Sequence, residues 1–172
     1  SLIHASFDVA KQIGLEYYEL KDDDFLAVFS GTKIYPNTQP FAMCYAGHQF
    51  GNWAGQLGDG RAIYAGELNF DEKSTEIQWK GAGATPFSRA GDGRAVLRSS
   101  VREFLMSEAI YHLGIPTTRA LSICTTGEMV ERDILYNGNP KKEPGAVVVR
   151  TAESFLRFGH FEWLSAQKKY GL

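Results

Sequence analysis

One long stretch of the chain repeats its apolar residues at helical spacing. Leu97, Val101, Phe104 and Leu105 predict a helix from about Val96 to Leu113, closed by Gly114 at the C′ position and by Pro116 behind it. Before the helix the pattern alternates in twos. Ala62–Leu68 and Thr75–Lys80 read as a hairpin joined by Asn69–Ser74. In its second strand Ile77 and Trp79 point to one face, and Glu76, Gln78 and Lys80 to the other. Lys80 is thus turned away from the apolar side, and Gly81, Gly83 and Pro86 end the strand. After the helix, strands are predicted at Ala120–Thr125, Glu128–Glu131 and Ala146–Thr151, with turns at Gly127 and at Asn137-Gly138-Asn139-Pro140. A closing helix is predicted from Ala152 to Gln167, with Gly159 inside it. The sum is an α+β layer: a largely antiparallel sheet with one prominent helix after the lysine strand.

Two stretches lack a clear period. Up to about Leu26 the chain is polar with scattered apolar residues, and Asp22-Asp23-Asp24 suits a turn or helix cap better than a metal site, because no further ligand spacing follows. Residues 31–61 hold Pro36, Pro40 and a series of glycines interleaved with Phe41, Tyr45, Phe50 and Trp53, and read as a structured loop. Within it His48 is expected to pack as a loop imidazole.

Composition narrows the class. At 172 residues, 44% apolar and 22% charged, the chain suits one soluble globular domain with a real core. A net charge of −2 argues against bulk binding to nucleic acid or to an anionic membrane. No apolar run nears transmembrane length, and no secretory signal is present. Cys44 and Cys124 form no metal-ligand pair and suit a reducing, cytoplasmic setting. The chain opens on Ser1 and stops at Leu172 just after a helical pattern, so both ends read as fragment boundaries.

The candidate chemistry begins with a doubled tetrapeptide. Gly58-Asp59-Gly60-Arg61 and Gly91-Asp92-Gly93-Arg94 each offer backbone N–H groups and a neighbouring Arg, which suits an anion such as a phosphate. From Lys80 to Glu103 the basic residues Lys80, Arg89, Arg94, Arg98 and Arg102 outnumber the acids Asp92 and Glu103. In order, the chain supplies a Gly-rich turn, a strand, a partner strand ending in Lys80 and a helix carrying Glu103. A protein-kinase small lobe has the same order of parts: a glycine loop over ATP, a strand Lys on phosphate and a helix Glu that orients the Lys. The glycine pattern departs from the kinase G-x-G-x-x-G-x-V, and no P-loop motif is present. Asp59 is expected in a turn role in preference to a metal role.

Longer motifs carry a resemblance. Tyr45-Ala46-Gly47-His48-Gln49-Phe50-Gly51, Gln56-Leu57-Gly58-Asp59-Gly60-Arg61-Ala62 and Lys80-Gly81-Ala82-Gly83-Ala84-Thr85-Pro86-Phe87-Ser88-Arg89 closely resemble the selenoprotein O (YdiU) family. So do Asp92–Ser100 and the run on through Glu103 to Leu121. The resemblance covers nearly the whole chain. It implies a protein-kinase-like fold that transfers AMP from ATP to hydroxyl side chains of other proteins, with a divalent metal, Mg²⁺ or Mn²⁺. It implies that ATP lies flipped, its terminal phosphates buried. By position, Lys80 is the strand lysine and Glu103 its helix partner. Gly58, Gly60 and Arg61 contact ATP from the first turn, Asp92 and Gly93 from the second, and Arg150 and Arg157 are the two phosphate-side arginines. Several cations suit a buried triphosphate, and planar Arg binds phosphate oxygens bidentately.

The resemblance also implies what lies elsewhere. The family's general-base Asp, its metal-binding Asn and a second metal-binding Asp belong to a large lobe with no counterpart in these residues. No metal ligand is therefore assigned here, and this stretch alone is expected not to turn over. Residues 1–44 are expected as an N-terminal extension and 45–172 as the nucleotide-binding small lobe, with self-association through an exposed apolar face as a further expectation. Three other readings stay open: phosphoryl transfer, a noncatalytic nucleotide-binding module, and nucleic-acid binding through Arg89, Arg94, Arg98 and Arg102, which the net charge opposes.

Overall fold

Alternating apolar positions on the long strands make an antiparallel sheet the frame of the molecule. The computed structural model describes residues 1–16 and 18–169; residues 170–172, the end of the expected 45–172 lobe, lie outside them. The chain is α+β. In order it forms β1 (Leu2–Ala5), α1 (Phe7–Gln12), α2 (Asp23–Phe29), β2 (Cys44–Gln49) and β3 (Asn52–Gly58). There follow β4 (Ala62–Phe70), β5 (Lys73–Lys80), β6 (Ala95–Val96), α3 (Leu97–His112), β7 (Arg119–Arg132), β8 (Lys141–Ala152) and α4 (Phe158–Ala166). The main sheet runs β1-β7-β8-β5-β4, with the short β6 also on β8, and β2 and β3 form a separate hairpin.

Both faces of the sheet are covered. On one, Val9 and Ala10 of α1, Ile13 just after it, and Phe25 and Phe29 of α2 pack on Ile77, Trp79, Leu121, Val147 and Val149. On the other, Phe104 and Leu97 of α3 pack on Ala120, Ile123 and Val148. The period of two thus sends Ile77 and Trp79 to the first core and leaves Gln78 and Lys80 on the α3 face. The first residues of the chain belong to this frame: β1 pairs with β7, and α1 and α2 close one face. Asp22 caps α2 by accepting the Asp24 N–H at 2.7 Å, which accounts for the acidic run.

Five sequence expectations change. The glycine-rich stretch 31–61 contains a hairpin. Phe50 and Gly51, at φ 51° and 79°, supply the two positive-φ residues of a tight turn. The interleaved glycines hid the alternation of β2 and β3, and His48 sits in β2 with its ring edge-on to Trp53 at 5.2 Å. The loop of the next hairpin shrinks to Asp71 and Glu72, both at positive φ, so β4 and β5 extend through Phe70 and Lys73. Gly127, expected as a turn, is a bulge inside one continuous β7: pairing with β8 resumes at Met129, and φ of 83° lets the strand kink without stopping. On α3, Leu97 and Phe104 face the sheet as expected, but Val101 and Leu105 are exposed, and Ser100 and Ser107 take the inward places. Small side chains there let the helix approach the sheet, and Ser107 Oγ donates to the Thr118 carbonyl. The closing helix is shorter than expected, because the chain runs irregularly from Glu153 until Arg157 caps α4.

Candidate functional site

The first tetrapeptide copy connects two hairpins, since β3 ends at Gly58 and β4 starts at Ala62. The Gly60 N–H donates to the Gly58 carbonyl at 2.9 Å, and the Asp59 side chain between them is buried, 3% exposed. The second copy lies between β5 and α3. There the Asp92 side chain is exposed, its Oδ1 accepts the Arg94 N–H at 2.9 Å, and Gly93 adopts φ 67°. Both copies press on the same segment, Gly83–Ser88. Thr85 Oγ1 donates to the Asp59 carbonyl and Ser88 Oγ to the Gly60 carbonyl, each at 2.6 Å. A Cβ on Gly58 would enter the Phe87 ring, and one on Gly93 would stand 2.0 Å from the Gly83 carbonyl oxygen. The two copies therefore line one open cavity of about 640 Å³, together with Lys80, Phe87, Arg89 and Arg132.

Behind Lys80 runs a continuous chain of polar side chains. Lys80 Nζ lies 2.7 Å from Glu103 Oε2, and Arg150 Nη1 lies 3.2 Å from Glu103 Oε1. Arg150 Nη2 donates to Gln78 Oε1. Gln78 Nε2 donates to Asp59 Oδ2 at 3.4 Å, and Arg157 Nη2 reaches Asp59 Oδ1 at 3.3 Å. Strand register explains the meeting: Gln78 and Arg150 are direct partners across β5 and β8, so both project on the α3 face, where Glu103 arrives from the helix. Gln78 has no exposed surface. Burial lowers the Lys80 pKa, and the hydrogen bond that Lys80 donates to Glu103 opposes it. Burial also lowers that of Arg150, against the pull of Glu103. Three cations thus face two carboxylates, and the buried Arg150 Nε has no partner among the described residues. The excess of positive charge suits an anion.

Comparison with known proteins identifies the lineage. The sequence profile of the family described as protein adenylyltransferase SelO matches residues 1–172. The chain belongs to that family. The protein nucleotidyltransferase YdiU of Flavobacterium johnsoniae is 60% identical over 168 residues, covering 98% of this chain and 32% of that protein. The YdiU proteins of Tolumonas auensis and of Xanthomonas euvesicatoria pv. vesicatoria are each 59% identical, over 161 and 167 residues, covering 94% and 96% of this chain and 31% and 32% of those proteins. The chain thus spans about a third of the length of these relatives.

For this family member, the structure sorts the residues expected from sequence into two groups. Gly58, Gly60, Arg61, Lys80, Asp92 and Gly93 share the cavity wall. Glu103, Arg150 and Arg157 do not line it; they reach it through Lys80 and the polar chain behind. The basic segment is partly neutralised, because Arg94 pairs with Glu128 and Arg98 with Glu143. Asp92 is held by Arg132 through two bonds of 2.8 and 2.7 Å, which lower its pKa to about 2. Sequence reasoning missed Gln78, Arg132 and the inward Asp59. Parity offered a signal for Gln78, which shares the strand face of Lys80 two residues on. Arg132 gave none, because it reaches Asp92 only through the bulged continuation of β7. Among the described residues no group of three or more His, Cys, Asp or Glu side chains is placed to hold a metal ion, and no helix is long and apolar enough to cross a membrane.

Proposed function

We propose that these residues form the kinase-like, nucleotide-binding small lobe of a protein adenylyltransferase, and that the cavity between the two tetrapeptide copies receives ATP. One observation carries the reading: both Gly-Asp-Gly-Arg turns and Lys80 line a single cavity, with Glu103 fixing the lysine from behind. Its volume falls within the roughly 300–1,000 Å³ common for small-molecule sites. The glycines at 58, 60 and 93 let both turns pack tightly on Gly83–Ser88, which brings their backbone to the cavity wall, and Arg61 on that wall pairs with no acid among the described residues. Lys80, Arg150 and Arg157 supply the charge for the phosphates.

In the reaction a protein hydroxyl oxygen attacks the α-phosphorus, the bond from that phosphorus to the bridging oxygen breaks, and pyrophosphate leaves with the electron pair. The hydroxyl proton passes to a base outside these residues. Charge grows on the leaving oxygens, and Lys80 with the two arginines is suited to stabilise it. A Mg²⁺ or Mn²⁺ ion would neutralise further phosphate charge, with its ligands expected elsewhere in the full-length protein. The two cysteines are unpaired, in keeping with a cytoplasmic enzyme.

The test is label transfer by the full-length protein with divalent metal. Label from α-labelled ATP is expected on protein hydroxyls, and Lys80→Ala is expected to reduce it about 100-fold or more. Transfer of γ-label instead makes the protein a phosphotransferase. Stabilisation by ATP with neither label transferred makes it a noncatalytic module.

A further inference from the structure

Asp59 and Gln78 have no place in the proposed chemistry, yet they are among the most buried polar side chains of the protein. Each of the four polar atoms they bring to the network is engaged. Asp59 Oδ1 accepts from Arg157 and Oδ2 from Gln78, while Gln78 Oε1 accepts from Arg150. Arg157 is gripped from a second direction, its guanidinium lying 5.0 Å from the centre of the Tyr45 ring. Tyr45 lies close to Asp59 as well: burial, followed by the nearby Asp59 charge, raises the Tyr45 pKa.

Burying a carboxylate this deeply is costly unless it is paired. The polar chain also has a fixed direction. An arginine can only donate, so Gln78 must turn its carbonyl to Arg150 and its amino group to Asp59. Asp59 must then be a pure acceptor, because it receives from both Gln78 and Arg157. The amide orientation of Gln78 and the charge of Asp59 are therefore locked together by the two arginines. Arg150 and Arg157 lie seven residues apart, one on β8 and the other at the N-terminus of α4 with an irregular stretch between them. The stretch between them is anchored at the buried Phe155, whose N–H donates to the Glu76 carboxylate at 2.7 Å, and α4 packs on β2; the two guanidinium groups themselves are joined by the bridge through Gln78 and Asp59.

We propose that Asp59 and Gln78 are positioning residues that set the spacing and orientation of Arg150 and Arg157 for the triphosphate. The inference rests on the nucleotide reading above. The first tetrapeptide then has two duties: its glycines and Arg61 line the cavity, and its Asp turns inward to hold the two arginines behind Lys80.

The decisive experiment exchanges acid and amide. In Asp59→Asn the new amide needs Gln78 to flip, which turns the Gln78 amino group onto Arg150. Adding Gln78→Glu restores every partner with the order reversed. Arg157 then donates to the amide carbonyl now at position 59, and the amino group of that amide donates to the carboxylate now at position 78. The same carboxylate accepts from Arg150. Calorimetric titrations of the full-length protein with Mg-ATP and with AMP are the readout, alongside thermal unfolding. D59N is expected to weaken ATP about tenfold or more and AMP by less than about twofold. The double variant D59N/Q78E is expected to recover ATP affinity to within about threefold of the parent. A role in folding alone would instead lower the melting temperature and weaken both ligands together.

D59N with parental ATP affinity overturns the inference. So does an exchange variant that does not fold, or one that binds ATP tenfold or more below the parent. A parent protein that binds no ATP sinks the nucleotide reading itself. Parental ATP binding with a silent D59N sinks only the positioning role.

Discussion

Two copies of one tetrapeptide, 33 residues apart, fold into opposite arrangements around one cavity. In Gly58-Asp59-Gly60-Arg61 the Asp is inside and the Arg outside: Asp59 binds Arg157 and Gln78, and Arg61 stays on the cavity wall. In Gly91-Asp92-Gly93-Arg94 the Asp caps its own turn and pairs with Arg132, while Arg94 is tied to Glu128. The first copy is flanked by strands on both sides, so its backbone is set by the sheet and its side chain is free to serve the interior. The second has to make its own turn, with the Asp92 side chain and a left-handed Gly93. The same four letters anchor a buried charged network in one place and form an exposed structural elbow in the other.

That contrast can be broken most sharply at Gly93. A Cβ there meets the Gly83 carbonyl in a conformation side chains rarely adopt, so Gly93→Ala is expected to cost about 3 kcal/mol or more. At Gly91 the nearest atom to an added Cβ is the Ser88 carbonyl oxygen at 3.1 Å, and Gly91→Ala is expected to cost about 1 kcal/mol. Denaturant titration of the full-length protein measures both, and equal effects would remove the elbow from the account.

The two aspartates come next. Asp59→Ala strands the charge of Arg157 and the amide of Gln78, and is expected to cost about 2 kcal/mol. The figure stays below that of a fully buried pair because Arg157 is itself partly exposed. Asp92→Ala loses an exposed pair and the bond from the Arg94 N–H, and is expected to cost about 1 kcal/mol by the same titration. A reversal of that order would mean the copies had been assigned the wrong way round.

The smallest effect is in pH. The Arg132 hydrogen bond holds the Asp92 pKa at about 2, below the ordinary 3.8. A depressed folded-state value favours the folded state at neutral pH, and that contribution is lost as pH falls from about 4 through about 2. The Asp92 carboxyl resonance followed by NMR is expected to titrate near 2, and to move up toward the ordinary value in Arg132→Ala.

Much of this was legible in advance where the signal is local. The parity of Lys80, the cap at Asp22 and the stop at Gly114 depend on near neighbours along the chain, and each appears in the structure. The inward face of α3 was only half legible, because Ser100 and Ser107 are buried by the sheet and carry no apolar mark. Gly127 was misread because a glycine between apolar runs looks the same in a turn as in a bulge, and only the partner strand distinguishes them.

By itself the sequence determined the α+β class, the alternation that puts Gln78 and Lys80 on one face and the lineage, since these follow from periodicity and from motif spelling. Tertiary structure alone decided which tetrapeptide holds a buried acid. It also decided that Arg132 meets Asp92 and that six side chains from two strands, a helix, a hairpin link and a helix cap join into one network. Identical local chemistry has no preference between facing in and facing out; the elements packed around it break the tie, through which partner each charge can reach once water is gone.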